Sequence, residues 1–146
     1  MLHCIVYMSS AVGTPGQDVL DAILSQSRRN NAADDITGAL LYNDGNFFQV
    51  LEGPAPAVQA CFARIERDRR HKGCIILRSE ALGTRNFATW DMAFIPFGRL
   101  GPDEQNGFIN LKTLRDQEKM DELRRDRSTG HFVNAFLSSF RNLKFA

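Results

Sequence analysis

Three polar side chains fall where the hydrophobic pattern calls for core. Residues 2–9 (LHCIVYMS) are apolar and β-branched and read as a strand. Strand alternation puts Leu2, Cys4, Val6 and Met8 on one face and His3, Ile5, Tyr7 and Ser9 on the other. Gln49 sits between Phe47 and Leu51 on one face of a second such run (FFQVLE, 47–52). Asn31 follows Leu20, Leu24 and Ser27 at spacings of 4, 3 and 4, which extends the inner stripe of a helix. A buried carboxamide needs partners for its oxygen and its NH2 group, and a buried phenol needs one for its hydroxyl. Either these groups bond one another and the backbone, or a polar ligand lies among them. Residue types alone leave both readings open.

Two further groups carry chemistry. Trp90 and Met92 alternate with Asp91, so both point to one face of a strand, with Phe94 beyond. Taken alone, core packing is the simpler account of them. Arg64, Asp68, Arg70 and His71 lie along and just after a helix. Such a run is either a solvated helix end or a clamp for an anion or a carbonyl, to which arginine is well suited.

The usual catalytic templates are missing. There is no GxSxG, HExxH, P-loop or dinucleotide fingerprint. His3, His71 and His131 lack metal-ligand spacing, so no metal site is expected. Cys4, Cys61 and Cys74 are an odd number without a CxxC pair, and their apolar surroundings suit reduced, buried thiols.

The elements that must position these residues follow in order. After the first strand, Thr14-Pro15-Gly16-Gln17 has a capping-box pattern with proline at the first helical position. The helix it opens runs to about Asn30. A strand over 36–42 and the strand over 47–52 flank Asn43-Asp44-Gly45-Asn46, a type I′ hairpin signal. Gly53-Pro54 breaks the chain, and Val58, Cys61, Phe62 and Ile65 mark a second amphipathic helix to about Asp68. Strands over 74–82 and 90–96 complete a βαββαββ order. That order predicts an α+β, ferredoxin-like sheet with two helices on one face. Gly101-Pro102-Asp103-Glu104 can start a short helix, and 112–127 is dense in mixed charge. Ser128 could cap a last helix whose stripe of Val133, Phe136, Leu137 and Phe140, broadened by Phe132, covers the sheet's other face.

At 146 residues, 43% hydrophobic and 24% charged, the chain can bury a core without disulfides or metals. Eighteen basic against 17 acidic residues leave a formal charge of +1, which gives no general attraction to nucleic acid or to a membrane surface. No leader and no membrane-length apolar run is present, so a complete, cytoplasmic protein is expected.

Taken together, VYMSS (6–10), NNAADDITGALLY (30–42), GNFFQVLEG (45–53), RIERDRRH (64–71) and RNFATWDM (85–92) resemble the BLUF domains, blue-light sensors that use flavin. The resemblance covers about residues 2–94. It implies that Tyr7 is the redox-active tyrosine and Gln49 the glutamine between that tyrosine and the flavin ring. Asn31 then bonds the polar edge of the isoalloxazine, with Asn30 beside it. Ser9 lies behind them, and Trp90 and Met92 relay the light signal. Arg64, Asp68, Arg70 and His71 fall where related proteins hold the flavin. A slot of Ile23, Leu24, Phe62 and Ile65 would take the ring. FAD is the usual cofactor, with FMN as the alternative.

The resemblance implies a photoreceptor, not an enzyme, with residues 1–97 as the flavin-binding domain and 98–146 as its helical extension. Light would drive electron and proton transfer from Tyr7 and leave Gln49 rearranged in a reversible red-shifted state. Output would pass to a downstream signalling protein or to a change in a homo-oligomer. Two other classes stand beside it: a small flavin-dependent redox enzyme, and a flavin-free ferredoxin-like binding module.

Overall fold

β-branched and aromatic residues at alternate positions make the sheet, and their phases divide the core in two. The structure, a computed structural model, describes residues 1–88, 91–117, 119 and 127–140. The elements in chain order are β1 (Leu2–Ala11), α1 (Gln17–Ala33), β2 (Thr37–Asn43), β3 (Asn46–Pro54), α2 (Ala55–Glu66), β4 (His71–Leu82), β5 (Ala93–Pro96), a 3-10 turn (Phe97–Arg99), α3 (Pro102–Asp116) and α4 (Arg127–Phe140). The strands stand in the order β4-β1-β3-β2-β5. All neighbours are antiparallel except β2 and β5, which run parallel. This is the expected ferredoxin-like sheet.

One face carries Ile5, Tyr7, Leu40, Phe47 and Leu51, packed with Leu20 and Leu24 of α1 and Val58, Cys61 and Phe62 of α2. The opposite face carries Cys4, Val6, Met8, Ala39, Leu41, Phe48 and Val50. These pack with Phe108 and Leu111 of α3 and with Phe132, Val133, Phe136 and Leu137 of α4. The C-terminal helices thus cover the second face, as their apolar stripe predicts. Phe48 meets Phe132 and Phe136 at ring-centroid distances of 5.4 and 4.9 Å, near edge-to-face. Trp90 and the side chains of Ser128 and Phe140 lie outside the described residues.

Several boundaries differ from expectation, each for a physical reason. The capping box at Thr14 does not form: α1 starts at Gln17 with Gly16 as N-cap and no side-chain cap bond. Gln17 instead bonds Asp21 one turn on, at 2.9 Å. α1 also continues past Asn30 to Ala33, so Asn31 lies inside it. β4 begins at His71, not Cys74, because Gly73 (φ 65°) serves as a bulge that keeps the ladder going. β5 begins only at Ala93: Met92 takes φ 54°, which interrupts the extended path expected from residue 90. Cys74 is only partly buried, whereas Cys4 and Cys61 are buried as expected.

The hairpin holds. Asp44 and Gly45 have φ of 48° and 80°, as a type I′ turn requires, and they set Asn43 opposite Asn46. Gly38 on β2 is constrained by proximity. A Cβ there would collide with the Val50 carbonyl and stand 3.2 Å from the Met92 methyl. At Gly45 a Cβ would meet nothing within 4 Å. Gly38→Ala should therefore cost about 2 kcal/mol or more of unfolding free energy, and Gly45→Ala only about 1 kcal/mol. Urea denaturation of both variants checks this, and equal losses would refute the collision at Gly38.

Candidate functional site

Register creates the central contact. Tyr7 of β1 is paired directly with Gln49 of β3, on the face covered by α1 and α2. The Tyr7 hydroxyl donates to Gln49 Oε1, and Gln49 Nε2 donates to Met92 Sδ at 3.1 Å. All three are buried, Met92 completely. The ring of Phe62 lies 5.3 Å from that of Tyr7. Burial above all, then Cys74, Cys61 and Asp68, pushes the Tyr7 phenol well above its ordinary pKa, so it stays protonated. The Met92 carbonyl accepts from Arg28 Nε of α1 at 3.4 Å. This contact was not foreseen, since Arg28 is on the exposed side of the helical pattern.

Ser9, two residues along the same face, meets His71 at the start of β4: Ser9 Oγ is 2.7 Å from His71 Nδ1. His71 Nε2 bonds the Ile65 carbonyl. A carbonyl only accepts, so Nε2 carries a proton, and in the neutral ring Nδ1 accepts from the Ser9 hydroxyl. Cys74 Sγ stands 3.6 Å from the same nitrogen. His71 is thus held between β1 and the end of α2, with its ring 6.3 Å from Tyr7.

Two adjoining cavities open beside these groups. Both are lined by Ser27, Gln49, Ile65, Asp68 and Arg70. Tyr7, Ile23, Leu40, Phe47 and His71 wall the first, and Gln26, Asn30, Asn31, Cys61 and Arg64 the second. Ile23 and Ile65 line these cavities, while Leu24 and Phe62 belong to the buried core cluster. Sequence reasoning missed Leu40, Phe47 and Cys61 as lining residues, because apolar residues in a core pattern give no signal of an adjacent cavity.

Asn31 is buried, yet its bonded neighbour is Cys61, whose thiol lies 3.6 Å from Asn31 Oδ1. Tyr7 and Gln49 bond each other, while Asn31 shares only the lining of the second cavity with Gln49. The cluster is brought together without being a closed network, and that leaves room for a ligand. At the rim, Arg64 pairs with Asp34 at 3.2 Å. Arg70 bonds Asp68 through Nε at 3.0 Å and Gln26 through Nη2 at 3.0 Å. Hydrogen bonding from Arg70 holds the Asp68 carboxyl below its usual range. Asn30 is exposed at the mouth.

A family model described as BLUF, sensors of blue-light using FAD, matches residues 2–93. The chain belongs to the BLUF family. A BLUF relative is the blue light- and temperature-regulated antirepressor BluF of Escherichia coli K12, 32% identical over 87 residues. That match covers 60% of this chain and 22% of the antirepressor, so this chain spans about a fifth of that relative. Among solved structures, the dark state of the BLUF protein BlrB aligns with a TM-score of 0.69 and 29% identity, covering 88% of this chain and 96% of that one. Klebsiella pneumoniae BlrP1 with FMN and cyclic diGMP aligns with a TM-score of 0.64 and 28% identity, over 86% of this chain and 35% of that one. The matched family is one of sensors. Among the described residues no helix is long and apolar enough to cross a membrane, and no acidic, histidine and cysteine cluster could hold a metal.

The residues fit a flavin. A flat ring with one apolar edge and one acceptor-rich edge needs apolar walls and a few convergent polar groups. Ile23, Leu40, Phe47 and Ile65 supply the walls, and Asn31, Gln49 and Ser27 the polar groups.

Burial also makes the fold sensitive to alkali. Burial first of all pushes the Cys74 thiol up from 9.0 to about 11 and the Cys4 thiol up to about 12, alongside the rise at Tyr7 from 10.0. A raised folded-state pKa gives stability that is complete below the unfolded value and lost as pH climbs toward the folded one. The urea midpoint should therefore hold to about pH 9 and fall between 9 and 12. Each group makes unfolding up to about tenfold more favourable per pH unit within its window. Denaturation curves at pH 8, 9, 10 and 11 test this, and Tyr7→Phe should flatten the part of the fall above pH 10.

Proposed function

We propose that this BLUF domain is a blue-light photoreceptor that holds an oxidised flavin non-covalently between α1 and α2 and uses Tyr7 and Gln49 to register light. The observation that carries this is the chain Tyr7 to Gln49 to Met92, buried beside a cavity lined by Asn31. When bound, the flavin supplies blue-light absorption and an electron acceptor. Asn31 and Asn30 would hold its polar edge, with Arg64, Asp68, Arg70 and His71 at the rim. FAD is the cofactor favoured by the family description, with FMN as the alternative.

Tyr7 is placed to give up an electron together with the proton that already points at Gln49 Oε1. Gln49 is the element with two states. Reversing its carboxamide presents Nε2 to the Tyr7 oxygen, which can accept, at almost constant shape. It also turns Oε1 toward Met92 Sδ, and two acceptors cannot bond. The reversal thus keeps the Tyr7 contact in the opposite sense and breaks the Met92 contact. Met92, and Trp90 near it in sequence, would pass the change on, with Ser9 bracing His71 behind Tyr7. Residues 1–97 would form the sensing unit and 98–146 its helical extension. Output would go to a protein partner or to a change in a homo-oligomer, through the surface of the C-terminal helices.

The absorption spectrum before and after blue light decides between the readings. A yellow protein with a reversible red shift supports the photoreceptor, bleaching supports a flavin-dependent redox enzyme, and a colourless protein supports a flavin-free module. Tyr7→Phe should keep the yellow colour and lose at least about nine-tenths of the shift.

A further inference from the structure

Glu52 is the feature of this fold that the Tyr7–Gln49 chemistry leaves unused. It is on β3 with Gln49 but three residues on, so it faces the opposite side of the sheet, and it is fully buried. A buried carboxylate is costly unless well bonded. Here Oε1 accepts from the Asn86 and Phe87 amides at 2.9 and 2.7 Å, and Oε2 from the Asn86 amide and Nδ2 at 3.1 and 2.9 Å. Arg85 fastens the same stretch: Nη1 donates to Thr37 Oγ1 at 2.9 Å and to the Glu52 carbonyl at 3.2 Å, and Nη2 to the Asp35 carbonyl at 2.9 Å. The segment so gripped leads from β4 to Met92, the residue on which Gln49 Nε2 rests. Beyond the grip, Phe87 is buried on the other face of the sheet, with its ring 6.4 Å from Phe136 of α4.

We propose that Glu52 is a positioning residue: its carboxylate anchors residues 85–87 and so fixes Met92 against Gln49. Charge-assisted bonds to amides are about twice as strong as neutral ones, and they fix the segment's backbone as well as a side chain. The anchor holds the arrangement in which Met92 accepts from Gln49, and weakening it favours the reversed carboxamide. The effect on the light response rests on the photoreceptor reading; the placement of Met92 does not.

Glu52→Gln keeps the shape but turns an NH2 toward N–H groups, and Asn86→Ala removes the Nδ2 bond to Oε2 while keeping the Asn86 amide bonds to the carboxylate, which serves if the first variant folds poorly. In flavin-free protein, the Met92 13C-methyl resonance should shift in either variant, and exchange of the Phe87 amide should speed up at least about tenfold in Glu52→Gln. With flavin bound, dark recovery after blue light should slow at least threefold in Glu52→Gln and in Met92→Leu. The double variant should recover no more slowly than Met92→Leu alone. A Met92 resonance that stays in place, or recovery effects that multiply in the double variant, would overturn the proposal. A wild-type protein without a reversible shift would instead overturn the photoreceptor reading, leaving the methyl and exchange measurements to judge Glu52.

Discussion

The register of β1 against β3 is the constraint on which the rest of the site depends. Tyr7 and Gln49 are direct cross-strand neighbours, so a slip of one residue would turn one of them to the opposite face. Three things hold that register. The tight Asp44-Gly45 turn fixes β3 against β2, the apolar phases of β1 and β3 are buried on both faces, and β1 lies between β3 and β4 with bonds on both edges. Burial on both faces makes the pairing stiff. It also brings a phenol and a carboxamide into a place where neither can be left without a partner.

The site is then assembled from opposite requirements. The walls are apolar and come from α1, α2 and the sheet, whereas the polar groups come from strand interiors and from the last turns of α1. Asn31 is buried because α1 continues past Asn30, and its backbone carbonyl also accepts from the amides of Asp34 and Ile36. The same residue thus ends a helix and presents a carboxamide to the cavity. The rim is different in kind: Arg64, Asp68 and Arg70 are partly exposed and paired, and such pairs contribute little to stability.

Much of this was legible in the sequence, where local rules and burial agree. Alternation in β1 and β3 put Tyr7 and Gln49 on their correct faces, the Asp-Gly pair identified the hairpin, and the helical stripe carried Asn31 inward. The stripe on α4 placed that helix against the second face. What sequence missed depended on contacts distant along the chain. A glutamate near the end of a strand reads as solvated, and nothing local shows that Glu52 meets amides 34 and 35 residues away. The fourth strand read as starting at 74, whereas pairing to β1 carries it back to His71 through a bulge at Gly73. Met92 read as part of an extended run, but it has positive φ and meets Gln49 and Arg28, partners distant along the chain. The Thr14 signal was outcompeted when the helix began at Gln17.

β5 has only four residues, at the sheet's margin, and pairs with β2 alone. Every other strand is longer, and β1, β2 and β3 are bonded along both edges. In mechanical terms β5 is the most compliant member of an otherwise stiff plate, because detaching it breaks the fewest ladder bonds. Met92 is the residue immediately before it. A displacement at Met92 therefore meets its least resistance along β5, toward the 3-10 turn and α3, and the plate itself need not bend.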